Sequence, residues 1–194
     1  MTTSSRYTPE GLARAGQVGT RRAYEGRVIS LDIDTVRFPD GTTGELEMVR
    51  HPGASAIVPF LSDPAGDDPQ LLLIRQYRYA ALEVLYEIPA GRLEQGEDPA
   101  VCAARELREE TGCTAGRLEH LHTMYTTPGF TDERIHLFLA TDLVRGESAQ
   151  ESDEFIDVEV VSLGRALEMI RDGAIKDAKS ALGILYAAGF RAGA

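Results

Sequence analysis

The sequence has no tryptophan and only two cysteines among its 194 residues. Both cysteines, Cys102 and Cys113, fall in one helical region, and a bridge across a helix has poor geometry. We therefore expect reduced thiols and a cytoplasmic protein.

Long apolar runs are also missing. No stretch reaches the roughly 18 consecutive apolar residues that a membrane-spanning helix needs. The first residues, MTTSSRYTPEGLARAG, have no apolar core of the kind found in signal peptides. The sequence therefore predicts neither a membrane span nor a secretion signal.

Acidic residues outnumber lysine and arginine, and the net charge is −11 at pH 7. Without a stripe of lysine and arginine to neutralise phosphates, nucleic-acid binding is not expected. A small phosphorylated ligand is still possible, but it must meet local arginines or metal ions against an adverse overall field.

The organisation along the chain indicates an α+β protein. Residues 1–16 are small and polar and are interpreted as a loose arm, and 17–50 as an antiparallel β-sheet subdomain. Within it, Ile29, Leu31 and Ile33 alternate with polar residues, as in a half-buried strand. The segment His51-Pro52-Gly53 interrupts two strand-like runs, so residues 51–194 are assigned to a larger α/β domain. Two helices are predicted near its end, after about Gly164.

One predicted helix carries an unusual cluster of acids. Asp98 and Pro99 suit its N-cap and first position, and Gly112 its end. Glu106, Glu109 and Glu110 then share one face, where like charges repel. A solvated helical face is the ordinary interpretation of such glutamates. A hard cation such as Mg²⁺, which prefers carboxylate oxygens, would instead remove the repulsion.

The longer frame favours the cation. The segment GRLEQGEDPAVCAARELREETGC resembles the Nudix box, in which glycine, glutamate and arginine positions recur at fixed spacing. The matching residues here are Gly91, Glu97, Arg105, Glu106, Leu107, Glu109, Glu110 and Gly112, with Cys113 in the last apolar place.

This resemblance implies a Nudix α/β/α sandwich and hydrolysis of a nucleoside diphosphate linked to another group. It implies that Glu106, Glu109 and Glu110 bind Mg²⁺, or Mn²⁺ in its place, with two or three ions in each active site. The backbone carbonyl of Ala90 is expected to join them. Arg105 is expected among the catalytic residues, although in the family it and Glu97 more often hold the motif together.

A second stretch, TTPGFTDERIHLFLA, points to a substrate. Pro128 begins a Pro-Gly-aromatic-x-x-Glu segment that resembles one in the ADP-ribose pyrophosphatase group. By that match Glu133 is expected to contact the terminal ribose. On its own, Pro128-Gly129 is also an ordinary turn between two strands.

The front half of the chain resembles the same group, whose amino-terminal sheet is exchanged across a homodimer. By this likeness Arg78 lies near the adenosine, Arg50 or Arg27 serves the phosphates, and Tyr24 stacks on adenine. Each arginine could equally be a surface charge.

The catalytic base is expected in the loop ESAQESDEFIDVEV. Glu154 is the first choice by its place before two apolar residues, and Glu151 and Asp153 are the alternatives. Most acids in such a run are solvated. The four histidines (His51, His120, His122 and His136) are interpreted as structural.

Two other functions compete with cleavage of ADP-ribose. One is hydrolysis of a related nucleotide sugar such as GDP-mannose, which differs in base and sugar contacts. The other is a non-catalytic nucleotide-sensing module, which would be expected to have a damaged box. All metal-ligand positions are intact here, which favours an enzyme.

Overall fold

The structure is a computed structural model that describes residues 8–146 and 156–191. Its helices are α1 Pro9–Arg14, α2 Pro99–Thr111, α3 Leu163–Arg171 and α4 Ala178–Arg191. Its strands are β1 Gly16–Glu25, β2 Ser30–Arg37, β3 Thr43–Arg50, β4 Ala54–Pro59, β5 Gln70–Arg78, β6 Glu83–Glu87, β7 Ala90–Arg92, β8 Cys113–Tyr125, β9 Arg134–Arg145 and β10 Ile156–Ser162. None of the helices in these ranges is long and apolar enough to cross a membrane.

The chain divides into two compact units. The first comprises Met1–Pro52 with Tyr125–Arg134, and the second comprises Gly53–Met124 with Ile135–Ala194. The segment Tyr125–Arg134, which the sequence analysis assigned to the larger domain, therefore belongs to the first unit. A backbone hydrogen bond joins this segment to the sheet of the first unit: Val49 N–H donates to the Phe130 carbonyl at 2.8 Å.

The first unit is an antiparallel sheet in the order β1-β2-β3. The expected loose arm contains a helix: α1 begins after Thr8, whose hydroxyl caps it by accepting from Gly11 N–H. The strand β1 was not predicted, because GQVGTRRAYE shows no alternation of apolar and polar residues.

The buried face of β2 is its acidic face, not its apolar one. Asp32 and Asp34 are only 7% and 4% exposed, whereas Ile29, just before the strand, is 41% exposed. Arg50 explains the inversion, since its guanidinium donates to both carboxylates. An alternating pattern places residues on two faces, but the partners on neighbouring strands decide which face is covered.

The second unit contains two sheets. One is antiparallel in the order β10-β5-β6, and the other is mixed in the order β7-β4-β9-β8. In the mixed sheet β4 runs parallel to β9 and antiparallel to β7. Because β7 begins at Ala90, the first residues of the acidic motif are fixed on the edge of this sheet.

Helices cover both faces of the mixed sheet. Successive residues of β4 point to opposite faces, so Val58 packs in the core with Ile184 of α4, while Ile57 packs with Leu107 of α2. All four side chains are fully buried. This layering confirms the predicted α+β fold with a helix–sheet–helix sandwich.

Candidate active site

The acidic helix α2 has the predicted limits. Asp98 caps it by accepting a hydrogen bond from Ala100 N–H at 2.8 Å, and Pro99 is its first residue. Gly112 ends it in the left-handed conformation, with φ of 70°, and donates its N–H to the Arg108 carbonyl. A residue with a Cβ would be strained at that position.

Glu106 lies against a glycine on β7. A Cβ added to Gly91 would fall 1.9 Å from the Glu106 carboxyl group, which is shorter than any van der Waals contact. The absence of a side chain at Gly91 therefore makes the space in which the Glu106 carboxylate lies. Glu106 is 7% exposed.

Glu110 is the most deeply buried acid of the helix, at 1% exposure. One of its oxygens, Oε2, accepts a hydrogen bond from Ala90 N–H at 2.9 Å. The backbone of Ala90 and the carboxylate of Glu110 therefore meet, although sequence reasoning expected the Ala90 carbonyl at the metal and not its N–H at the acid.

Arg105 gathers the remaining acids. Its Nε and Nη2 donate to the two oxygens of Glu97 at 3.0 and 3.1 Å, while its Nη1 donates to Glu106 at 2.5 Å and to Glu109 at 3.0 Å. This guanidinium holds the pKa of the Glu97 carboxyl below its ordinary value. The same contacts, led by Glu97, raise the pKa of Arg105. Arg105 thus links the loop to the helix and brings Glu106 and Glu109 to one nitrogen.

The donor set fits a hard divalent cation. Glu106, Glu109 and Glu110 supply three carboxylates from one helix, and Mg²⁺ and Mn²⁺ prefer such oxygen ligands. In the described parts of the chain, no three His, Cys, Asp or Glu side chains stand ready-made as a metal site. Glu106 and Glu109 are turned towards the Arg105 guanidinium, and a bound cation would replace it as their counter-charge.

Cys102 lies beneath the site and is fully buried. Its Sγ is 3.6 Å from the carbonyl oxygens of both Gly91 and Arg92. Burial raises the pKa of the thiol to about 11, so it remains protonated at neutral pH. A neutral thiol of this kind packs the helix against β7 and is a poor nucleophile.

Arg78, predicted to lie near adenosine, forms a two-pronged ion pair with Glu87. Its Nε and Nη2 donate to the two Glu87 oxygens at 2.7 and 2.8 Å, and Lys179 of α4 donates to one of them. The hydrogen bonds with Glu87 raise the pKa of Arg78, and the charge of Glu110 adds to the effect. Arg78 is therefore electrostatically coupled to Glu110 of α2.

The other predicted substrate residues belong to the first unit. Tyr24 and Arg27 are exposed. Arg50 is held by Asp32, Asp34 and Asp132. A cavity of about 350 Å³ in this unit is lined by both Arg22 and Arg50.

Glu133, the predicted ribose contact, is also in the first unit. Its Oε2 accepts from the Thr126 hydroxyl at 2.8 Å, and its Oε1 lies 3.4 Å from His51 Nδ1. Pro128 lies in the turn between Thr126 and Glu133. The contacts hold the loop in shape, and the ribose-binding role stays a prediction.

The three acids proposed as the base, Glu151, Asp153 and Glu154, lie outside the described residues. The histidines of the second unit pair with neutral neighbours. Thr123 Oγ1 lies 2.9 Å from His120 Nε2 and 3.1 Å from His136 Nδ1, and His122 stacks on Tyr186.

Sequence reasoning missed the residues that support the site from a distance. Glu87, Lys179 and Ser180 were not selected, although Glu87 and Ser180 are almost completely buried. Their partners are about ninety positions apart in sequence. The local signal was a glutamate, Glu87, four residues before the motif in an otherwise apolar segment.

The helix–sheet–helix sandwich, with a glutamate-rich loop and helix at the edge of its mixed sheet, has the features that the acidic motif predicted for a hydrolase. The NUDIX domain matches this chain over residues 51–181. The chain therefore belongs to the NUDIX family and is a Nudix hydrolase, as its motif predicted.

Similar proteins cover most of the chain. A methanol dehydrogenase activator from Bacillus methanolicus is 40% identical over 171 residues, 87% of this chain and 90% of its own. An ADP-ribose pyrophosphatase from Bacillus subtilis is 39% identical over the same shares. A GDP-mannose pyrophosphatase from Cronobacter sakazakii is 40% identical over 121 residues, 58% of this chain and 63% of its own.

One solved structure, described as an ADP compounds hydrolase, has a TM-score of 0.77 and covers 91% of this chain and 94% of its own. Its sequence is 19% identical, so this likeness bears on the fold alone.

Proposed function

We propose that this protein hydrolyses the pyrophosphate bond of ADP-ribose, using Mg²⁺, to give AMP and ribose 5-phosphate. Water supplies the oxygen that the cleaved phosphorus gains and the protons that the products require. Cleavage of a pyrophosphate bond follows from the family and from the box acids. The choice of ADP-ribose as the substrate rests on a separate observation.

The observation that carries this choice is the extent of the similarity. The ADP-ribose pyrophosphatase of B. subtilis resembles the chain over 87% of its length. The GDP-mannose pyrophosphatase of C. sakazakii resembles it over 58%. Substrate identity in this class depends on base and sugar contacts outside the box, so a match over more of the chain supports ADP-ribose more than GDP-mannose.

Each box residue has a chemical task in this proposal. Glu106, Glu109 and Glu110 would hold the divalent cations. Gly91, which has no side chain, leaves space for the Glu106 carboxylate. When bound, such cations neutralise the pyrophosphate and make a bound water more acidic. Arg105 and Glu97 keep the loop on the helix, so the carboxylates stay within reach of one another.

The base is proposed to be Glu154, with Glu151 or Asp153 in its place if that glutamate is not required. Its carboxylate would take the proton from the attacking water.

Arg78, Glu133, Arg50, Arg27 and Tyr24 are proposed to bind the nucleotide and ribose in a homodimer with exchanged amino-terminal sheets. The location is proposed to be the cytoplasm.

A second function deserves a direct test, because a relative at 40% identity is a methanol dehydrogenase activator. By that likeness the protein would bind a dehydrogenase and raise its rate. An activator that only senses a nucleotide would not need an intact set of box acids. All of these acids are present here, so hydrolysis is favoured.

Turnover of a substrate panel tests the proposal. Purified protein with Mg²⁺ is given ADP-ribose, GDP-mannose, NADH or a diadenosine polyphosphate, and the products are separated by ion-exchange chromatography. We expect kcat/KM to be highest for ADP-ribose, with AMP and ribose 5-phosphate formed in equal amounts. Faster cleavage of GDP-mannose would overturn the substrate, and no cleavage of any compound would favour the activator role.

A further inference from the structure

The first turn of α4 holds the strand that leads into the box. Ser180 is fully buried there, and its Oγ accepts a hydrogen bond from Ile88 N–H at 2.8 Å. One turn further along, a Cβ on Gly183 would lie 3.1 Å from the Ile88 side chain. The helix therefore lies close against the segment between β6 and β7, and the serine is its polar contact with that backbone.

The direction of the Ser180 hydrogen bond is fixed by its neighbour. Asp177 Oδ2 accepts from Ser180 Oγ at 2.5 Å and from Ser180 N–H at 2.9 Å. The hydroxyl has one proton, which is donated to the carboxylate, so its lone pairs are left for Ile88 N–H. Asp177 thus locks the hydroxyl in the orientation that Ile88 requires.

Between Ile88 and the box, the backbone of each residue is held by a hydrogen bond. The Pro89 carbonyl accepts from Ile57 N–H at 2.9 Å. Ala90 N–H donates to Glu110 Oε2 at 2.9 Å. Because the proline ring also restricts φ, little rotation is possible between the bond to Ser180 and the bond to Glu110.

The residue before Ile88 is held by the same helix. Glu87 is 1% exposed and receives Lys179 of α4 together with Arg78. Burial opposes ionisation of Glu87, but the contacts of Arg78 and Lys179 outweigh it and keep the pKa of this carboxyl below its ordinary value. Two consecutive residues of the entering strand are therefore fixed by consecutive residues of α4.

We propose that Ser180, locked by Asp177, is a positioning residue for cation binding: through Ile88 and Ala90 it sets where the Glu110 carboxylate lies. This inference rests on the proposed use of Glu110 as a metal ligand. Supports of metal ligands affect affinity because a ligand displaced by a fraction of an ångström loses part of its bond. Ser180 is far along the chain from the box and outside any motif that the sequence displays.

The test compares Ser180→Ala with Ser162→Ala. Ser162 caps the neighbouring helix α3 by accepting from Arg165 N–H at 3.2 Å, so both changes remove a serine that supports a helix start. Binding of Mn²⁺ to the substrate-free protein is measured by electron paramagnetic resonance, and the melting temperature without metal is recorded in parallel. Turnover of ADP-ribose is then measured at saturating Mg²⁺.

We expect Ser180→Ala to weaken Mn²⁺ binding by about tenfold, at the lower end of what outer supports of metal ligands contribute. At saturating Mg²⁺, kcat and KM for ADP-ribose should return to near the wild-type values, because excess cation compensates for the lost affinity, and Ser162→Ala should leave Mn²⁺ affinity as in the wild type. Ser180→Thr, which retains the hydroxyl, should recover most of the affinity.

Equal Mn²⁺ affinity in Ser180→Ala and wild type would overturn the inference, as would equal loss in Ser162→Ala. If Ser180→Ala does not fold, weak Mn²⁺ binding by a folded Ser180→Thr protein that melts like the wild type would also overturn it. Failure of the proposed function has a different signature: a wild-type protein that binds no Mn²⁺ or does not cleave ADP-ribose.

Discussion

At the residue scale, the position of Glu106 depends on a neighbour without a side chain. A methyl group at Gly91 would overlap the Glu106 carboxyl, which is the far end of a flexible side chain and can move away. We therefore expect Gly91→Ala to fold but to lose about tenfold or more in kcat/KM for ADP-ribose, as changes beside metal ligands do. Steady-state kinetics and thermal melting measure the two effects.

Gly189→Ala is the matched control for that change, because a Cβ there meets nothing within 4 Å. It should keep full activity. A fully active Gly91→Ala protein would mean that the Glu106 carboxylate need not occupy the space over β7.

Single residues were predictable where one local signal sufficed. Asp98, Pro99 and Gly112 carry the start and end of α2, and the spacing of the acids on one helix places them on one face. Ser180 and Lys179 could not be predicted, because their partners Ile88 and Glu87 are 92 positions away. Only the fold brings these pairs together.

At the scale of elements, β2 is joined to its neighbours by ion pairs that should make the first unit sensitive to acid. The Arg22 guanidinium, with Arg50, holds the pKa of Asp32 below its ordinary 3.8. A carboxyl whose pKa is lowered by folding stabilises the protein above the unfolded pKa and loses that effect as pH falls through the folded one.

We therefore expect the free energy of unfolding to fall as the pH drops below 3.8, and to fall less steeply in Asp32→Asn. Urea unfolding at a series of pH values from about 3 to 6 measures the slope. An unchanged slope in the variant would show that Asp32 gains nothing from its arginines.

The contact of α4 with β6 makes a second prediction for elements. Lys179 pairs with the buried Glu87, whereas Lys176 pairs with Glu83 in a largely exposed ion pair. Lys179→Met should lower the free energy of unfolding by about 2 kcal/mol, as loss of a buried charged hydrogen bond does. Lys176→Met should change it by less than about 1 kcal/mol. Equal effects in urea unfolding would contradict this assignment.

The elements also show why pattern reasoning failed for part of the sheet. Apolar alternation predicted that β2 has two faces, and it does. Which face is covered depended on Arg22 in β1 and Arg50 in β3, which no pattern within β2 contains. The strand β1 itself has no alternation, and its register comes from pairing with β2.

At the scale of the whole molecule, β1 is an edge strand of its sheet, and nine of its ten residues are exposed. Val18 and Tyr24 on it are 53% and 59% exposed. Exposed edges with apolar residues are typical of surfaces that pair with another chain. We expect sedimentation velocity to give twice the mass of one chain.

Val18→Lys should shift that species towards monomer, because burying a lysine across an apolar interface is unfavourable. Val144→Lys is the control, since Val144 is 65% exposed on β9 and is not proposed to face the partner. A wild-type monomer at all concentrations would contradict the proposed homodimer.

The central claim is that the acids of α2 bind the cation with which ADP-ribose is cleaved. Its most direct test is turnover of ADP-ribose by Glu110→Gln at saturating Mg²⁺, with the exposed Glu168→Gln of α3 as control. The amide oxygen can still accept from Ala90 N–H, so the fold should persist. We predict a loss of kcat of roughly a hundredfold or more in Glu110→Gln, beyond what outer supports of a metal site contribute, and none in the control. A folded Glu110→Gln protein with wild-type turnover would contradict the account.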